Sequence, residues 1–259
     1  MHVRIEQSSR LSTLARSLRL LQVVVCMLLS VGFTTAAQAE WSVDVYGGGA
    51  ITQNADFTST FSNSLLFVML TGSDVEYATS GTVGGRIGYW FESLPWLGIG
   101  LDVFQFWPDL NQQQNIPVSG TIRGFPFTDT SDIAQVDLSV TSIGFDVLRV
   151  RAPLLKSPAF PHGRLQPYMS AGPTVFIVQV SDTTNLSPRN QSDTETVVGV
   201  KAGAGVLFLI TQHWGLFGEY RFTYFNAEAT FNMTPPATRI TWEFNVLTNH
   251  FVGGLSFRW

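Results

Sequence analysis

The sequence predicts an all-β chain: an eight-stranded antiparallel transmembrane β-barrel. Three observations lead there. Of 259 residues only 13% are charged, while Gly contributes 23 and Phe 20, against about 25% charged in an average soluble domain. From Trp41 onward the apolar residues recur with period two and never form the run of about 20 that a spanning helix needs. Connections between these segments alternate short and long, the sorting that a barrel acquires when one end carries turns and the other carries loops.

Eight strands are expected at 41–53, 79–91, 96–107, 134–150, 164–180, 195–210, 214–229 and 240–259. "ESLP" (92–95) and "TQH" (211–213) are short connections and "LLKSPAFPH" (154–162) is moderate, whereas 54–78, 108–133, 181–194 and 230–239 are longer and polar. Both termini then fall at the short-turn end. "SNSLLFVML" (62–70) departs from its polar loop and leaves three readings: a short helix, a hairpin extension above the membrane, or part of an extra strand pair in a ten-stranded barrel.

A turn centred near Leu94 sets a register for the second and third strands. It places Tyr89 opposite Ile99, Ile87 opposite Leu101 and Gly85 opposite Val103 on one face. The other face pairs Trp90 with Gly98, Gly84 with Phe104 and Arg86 with Asp102. In the sixth strand Val198 to Ile210 supply one apolar face against Gly199, Lys201, Gly203 and Gly205; in the seventh, Leu216, Tyr220, Phe222 and Tyr224 oppose Glu219, Arg221 and Thr223. The first strand sets Trp41, Val43 and Val45 against Ser42, Asp44 and Tyr46. Alternation slips between Val140 and Ile143, which suggests a bulge, and Pro173 interrupts the fifth strand.

The inward set is Asp44, Arg86, Asp102, Asp137, Asp146, Lys201, Glu219, Arg221, His250 and Arg258. An eight-stranded interior is just wide enough to be filled by side chains, so these charges must pair, and a water-filled channel is not expected. Trp41, Tyr89, Trp96, Trp107, Trp214, Phe257 and Trp259 lie near strand ends, as interfacial girdles do.

Residues 1–39 have a different organisation. Arg4, Arg10, Arg16 and Arg19 precede an apolar stretch from Leu20 to Phe33, and Ala37-Gln38-Ala39 supplies an A-x-A site before Glu40. That is a secretory signal peptide, cleaved after Ala39, with a barrel domain at 40–259. Its removal takes Lys+Arg from 15 to 11 and, through Glu6, Asp+Glu from 19 to 18, so the mature chain carries about −7 and is not expected to bind nucleic acid. Cys26, the single cysteine, leaves with it, excluding disulfides and thiolate metal sites from the exported protein.

"WSVDVYGGGA", "GTVGGRIGYWF", "GRLQPYMSAGP" and the terminal "GGLSFRW" resemble the OmpA/OmpX-type family of small outer-membrane β-barrels, and the resemblance covers Trp41 to Trp259. It implies residence in the outer membrane of a Gram-negative envelope, contact with lipopolysaccharide, a monomer with four extracellular loops, and a role in envelope integrity or surface interaction. It also implies recognition by the barrel-assembly machinery through the last strand. Gly254, Phe257 and Trp259 match that family signal, while Val252 stands where it has a polar residue. With the sequence stopping at the barrel, the peptidoglycan-binding domain of some relatives is not expected.

Little in the sequence points to chemistry, and no catalytic, cofactor or metal residues are expected. His162 and His213 fall in turns. His250 faces the lumen near the outer rim, where Asp56, Glu228 or a loop serine is the partner that an acid-His-nucleophile set would require. Against that set, "HGR", "HWG" and "HFV" lack the His-x-Ser motif of lipid A deacylases, histidine pairs lack zinc spacing, and "GGGA" and "GTVGG" lie within strands rather than at phosphate-binding turns. Two alternatives to a structural or surface-interaction role therefore stand beside it: a narrow pore or hydrophobic-solute conduit, and a lipid A-modifying enzyme.

Overall fold

The computed structural model describes residues 40–259 apart from 63–66, 123–124, 134–135, 183–191 and 234–237. The expected signal peptide, and most of the polar segment 181–194, lie outside the described residues. Twelve strands follow in chain order: β1 (Glu40–Thr52), β2 (Ala55–Ser62), β3 (Phe67–Val75), β4 (Ser80–Trp90), β5 (Leu97–Phe106), β6 (Gln113–Ile122), β7 (Phe125–Ile133), β8 (Val136–Arg151), β9 (Leu165–Asp182), β10 (Ser192–Leu209), β11 (Trp214–Met233) and β12 (Thr238–Arg258). Eight of them close a ring in the order β1-β4-β5-β8-β9-β10-β11-β12, with β12 antiparallel to β1 from Ser42↔Arg258 to Thr52↔Thr248. The mutual backbone hydrogen bonds of Trp41 and Trp259, at 3.0 and 3.2 Å, carry the seam to the last residue. A closed ring leaves no backbone group unpaired toward lipid, which is the condition for strands to cross a bilayer.

The ring strands coincide with the eight expected ones to within a few residues. The register expected for β4 and β5 is the one found, including Arg86↔Asp102, Ile87↔Leu101 and Tyr89↔Ile99. Within 62–70, residues 63–66 lie outside the described residues, and the strands on either side of them favour the hairpin extension. Residues from Phe67 belong to β3, which pairs with β2, and a second sheet leaves the ring at β12 in the order β12-β2-β3-β6-β7. The ring itself stays eight-stranded.

Side-chain chemistry inverts partway up the long strands. On β11 the outward residues run Leu216, Tyr220, Phe222, Tyr224 and then Asn226, Glu228, Thr230, while the inward ones run Glu219, Arg221, Thr223 and then Phe225, Ala227. On β12 outward Phe251 and Leu247 give way to Asn245, Glu243 and Thr241 as inward His250 and Thr248 give way to Val246, Phe244 and Ile240. β9 changes likewise, from outward Val175 and Ile177 to Gln179, as Thr174 gives way to Phe176 and Val178 inside. Below the change the barrel is apolar outside and polar within; above it, water is outside and a hydrophobic core is within. Ten residue steps from Trp214 to Tyr224, at about 3.4 Å each and a strand tilt of about 40°, give an outer belt roughly 26 Å tall, the height of a bilayer's apolar band.

This inversion accounts for the slip between Val140 and Ile143. β8 buries Val136, Leu138, Val140, Ser142, Gly144 and Asp146 without interruption, so no bulge lies there. What changes is the medium: outward Ser139 and Thr141 precede outward Ile143 and Phe145. Asp137 consequently sits on the outward face, half-buried, and not in the lumen as expected. The true bulge is lower on β8, where the register shifts between Gly144 and Leu148 against β9 and opposite Gly98–Gly100 of β5. Adjacent Val147 and Leu148 both point outward there, 62% and 51% exposed. Pro173 falls at the same break, where its missing N–H interrupts no β8–β9 ladder bond.

Glycines make room for this packing. A Cβ on Gly88 would stand 2.0 Å from Arg149 Nη1, one on Gly84 2.7 Å from the Tyr46 hydroxyl, and one on Gly205 2.7 Å from the Tyr168 ring. These glycines occupy the lumen wall opposite large side chains, and no phosphate-binding loop is formed from them.

At the seam, a Cβ on Gly48 would lie 2.0 Å from the Phe251 carbonyl oxygen, whereas one on Gly49 meets nothing within 4 Å. Gly48→Ala is expected to destabilise the refolded barrel by about 1–3 kcal/mol in urea titrations and Gly49→Ala to be near neutral. In lipid vesicles Leu101→Lys, within the belt, should cost roughly 2–4 kcal/mol. Asn226→Lys, above the belt, should stay within about 0.5 kcal/mol of the parent in the same titration.

Candidate functional site

Residues that could carry a function concentrate in the lumen, because period-two strands closed into a ring aim half their side chains at one axis. Midway along that axis the ionic groups form a continuous chain. Arg86 on β4 donates through Nε to Asp44 Oδ2 at 2.9 Å and through Nη1 to Glu219 Oε2 at 2.7 Å. Glu219 Oε1 accepts from Arg221 Nη2 at 2.8 Å, and the same Nη2 lies 3.1 Å from Asp102 Oδ2. Lys201 Nζ continues the chain to Asp102 at 2.6 Å and to Asp146 at 2.8 Å. Two tyrosines lock it: Tyr168 donates to Glu219 at 2.7 Å, and Tyr46 donates to Asp102 while accepting from Arg221 at 2.8 Å. With Arg149 Nη2 3.3 Å from Asp44, every ring strand except β12 contributes. All these ionic side chains are essentially inaccessible to solvent.

Every expected lumen ion except Asp137 is inside, but they pair otherwise than expected. Arg86 and Asp102 are opposite in register, yet Arg86 reaches Asp44 and Glu219, while Asp102 is taken by Lys201 and Arg221. Arg258 pairs with Glu40 at the short-turn rim and donates to Gln166 at 2.8 Å. Arg151 joins that lower layer through Glu40 at 2.7 Å and Gln166 at 3.0 Å, its guanidinium 4.3 Å from the Trp90 ring centre.

Arg149 and Arg151 escaped the sequence reading because the β8 bulge moves the inward parity from even residues to odd. A signal was present: two adjacent apolar residues, Val147 and Leu148, followed by strict Arg-Val-Arg alternation. Arg149 stacks 4.8 Å from the Trp90 ring centre and 5.7 Å from that of Tyr168. Among the described residues the inward ions are thus Glu40, Asp44, Asp102, Asp146 and Glu219 against Arg86, Arg149, Arg151, Lys201, Arg221 and Arg258.

His250 is in the lumen as expected, but its neighbours are not catalytic. Its ring lies edge-on to Phe106 and Phe104, at 4.9 and 5.6 Å, and its Nε2 is 3.1 Å from Thr223 Oγ1. Asp56 accepts instead from the Asp74 amide at 3.3 Å, and Glu228 faces outward beside Thr230. Among the described residues the acid-His-nucleophile set is therefore not assembled around His250. His213 sits in the β10–β11 turn, its Nδ1 2.8 Å from the Arg258 carbonyl, and His162 offers its own carbonyl to Gln166 at 3.1 Å. Among the described residues no group of His, Cys, Asp or Glu is arranged to hold a metal ion.

Above the ions, Phe104, Phe106, Phe176 and Phe225 fill the bore, with Phe176 and Phe225 stacked at 4.3 Å, and Leu138, Val140, Val178, Val180 and Val246 complete the core above them. The lumen is therefore filled in three successive layers: the Glu40 rim cluster, the ionic chain, and an aromatic-aliphatic plug.

A family model described as an outer membrane protein beta-barrel domain matches residues 25–246. No curated protein matches the chain. Among solved structures the chain is similar to Neisserial surface protein A, at 14% identity and a TM-score of 0.45 over 84% of this chain and 96% of that one. It is also similar to the outer membrane protein OprG of Pseudomonas aeruginosa, at 10% identity and 0.46 over 85% and 96%. Ail, the attachment invasion locus protein of Yersinia pestis, matches at 12% identity and 0.36 over 85% and 99%, in a complex with the heparin analogue sucrose octasulfate.

Removing one partner from a buried pair leaves the other charge uncompensated. Arg86→Ala should therefore destabilise the barrel by about 3 kcal/mol, because it takes one of two cations from each of two buried acids, leaving Asp44 with Arg149 and Glu219 with Arg221. Double-mutant cycles in urea should give a coupling of about 1–3 kcal/mol for Arg86 with Glu219, and a smaller one for Arg86 with Asp102, which it does not touch.

Proposed function

Because the chain belongs to the outer membrane protein β-barrel domain family, we propose that it is a non-enzymatic outer-membrane barrel that acts through its extracellular face. The observation that carries this reading is the sheet β12-β2-β3-β6-β7, which extends the chain beyond the closed ring and above the belt. Loops that merely joined strands would need no second sheet. This one exposes Phe67 at 53%, Met69 at 42% and Phe125 at 76% near its distal hairpins, and exposed large apolar side chains grouped on an otherwise polar surface mark interaction sites. Pairings of Ser62 with Phe67, Val68 with Ile122 and Ile122 with Phe125 bring these hairpins side by side.

The filled lumen weighs against the conduit. Passage of a solute would require separating ion pairs that have no water to replace their partners, and moving four phenylalanines as well. His250, held by Thr223 between two phenyl rings, weighs against the lipid A-modifying alternative. Contact with lipopolysaccharide, a monomeric state and assembly through β12 belong to the same reading.

Cells displaying the barrel should adhere to polystyrene more strongly than cells without it. Joint replacement of Phe67, Met69 and Phe125 by Ser should remove most of the gain, and the purified protein should give no conductance steps in planar bilayers. Discrete conductance with unchanged adhesion would transfer the function to a pore.

A further inference from the structure

The outer face of the ring carries an apolar groove of about 440 Å³ across β8, β9, β10 and β11, within the size range of about 300–1,000 Å³ typical of ligand sites. Its floor is Ala171, Ala202 and Ala204, and its walls are Met169 on one side and Tyr220 and Phe222 on the other. Register builds it: Ala202 lies between Ala171 and Phe222, and Ala204 between Met169 and Tyr220. Three methyl side chains between bulky neighbours leave a trough inside the apolar belt.

Below the groove, at the short-turn rim, stands Arg164. Its guanidinium lies 4.8 Å from the ring centre of Phe208 and 5.3 Å from that of Phe160, with Nε donating to the Leu209 carbonyl at 3.2 Å. Among the described residues no carboxylate pairs with it. Phe208 shares the outward face of β10 with Ala204, four residues or about 14 Å away along the strand. Leu154 and Leu155 are 46% and 64% exposed in the adjoining turn, and the Leu155 carbonyl accepts the Arg164 amide at 3.3 Å. A cation set on aromatic rings beside exposed leucines suits the boundary between headgroups and acyl chains.

We propose that Arg164 and the alanine-floored groove together hold one phospholipid of the periplasmic leaflet. The guanidinium takes the phosphate through its terminal amino groups, as its planar donor fork allows, and one acyl chain runs up the face of β10 into the trough. The depth agrees, since the groove begins where chain methylenes lie once the phosphate is at the rim. The shape also selects this occupant. A second barrel is convex and meets a trough only along its edges, whereas a single acyl chain can lie along its apolar lining.

Native mass spectrometry of the folded mature chain, released from detergent with added dimyristoyl phosphatidylglycerol, tests this. One retained lipid per chain is expected. Arg164→Ala should lower retention about fivefold, the worth of one interfacial cation. Ala202→Leu, which fills the trough from an outward position, should lower it comparably, and Arg164→Lys should retain most of it. Folding of each variant is checked by its heat-dependent gel shift. Retention unchanged in both Arg164→Ala and Ala202→Leu overturns the proposal, as does displacement of the lipid by inorganic phosphate. Preferential retention of lipopolysaccharide overturns the leaflet assignment, and a dimer that Ala202→Leu dissociates would show a second copy to be the occupant.

Discussion

The rest of this structure depends on the pairing of charges that have no water. Eight strands closed into a ring leave an interior only as wide as the side chains that fill it, and the sequence sends Asp44, Arg86, Asp102, Lys201, Glu219 and Arg221 into that space. An isolated ion there would cost several kcal/mol, so each must find a partner across the bore. Much of the local detail serves this demand. Glycines at 84, 88 and 205 yield volume to side chains reaching past them, and Tyr46 and Tyr168 bridge acids to arginines. The β8 bulge re-aims two further arginines inward, one of them onto the Glu40 carboxylate.

A second constraint is set by the surroundings. The same strand passes through lipid and then through water, so its apolar face must change sides. β8, β9, β11 and β12 all make this change without breaking their pairing. The lower part of the molecule is a membrane barrel with a polar interior, and the upper part is built like a soluble barrel with an apolar interior. Their junction, where His250 lies edge-on to Phe104 and Phe106, is where ionic packing gives way to hydrophobic packing. This arrangement fills the bore twice, by different physics.

Much of this was legible in the amino-acid order. Period-two alternation and the sorted connections were enough for eight strands and their ring, and a turn at Leu94 was enough for the β4–β5 register. Inward orientation of the charges followed from parity alone. Parity also produced the misplacements. It put Asp137 inside because it assumed one medium along β8, and it left Arg149 and Arg151 outside because one extra residue at the bulge reverses the count. The hairpin at 62–70 was one of three readings, since a short apolar run does not distinguish a helix from a strand.

Taken alone, the sequence determined what local rules can reach: which residues are strands, which face each side chain takes within one medium, and that the lumen would be ionic and filled. The tertiary structure decided which charges meet. Arg86 bonds to Glu219, 133 residues away in sequence, and not to Asp102, its neighbour across the ladder. Strand neighbours are set by backbone hydrogen bonds between adjacent chains. Partners in the lumen are set by distance across a closed ring, and that distance exists only once β12 has met β1.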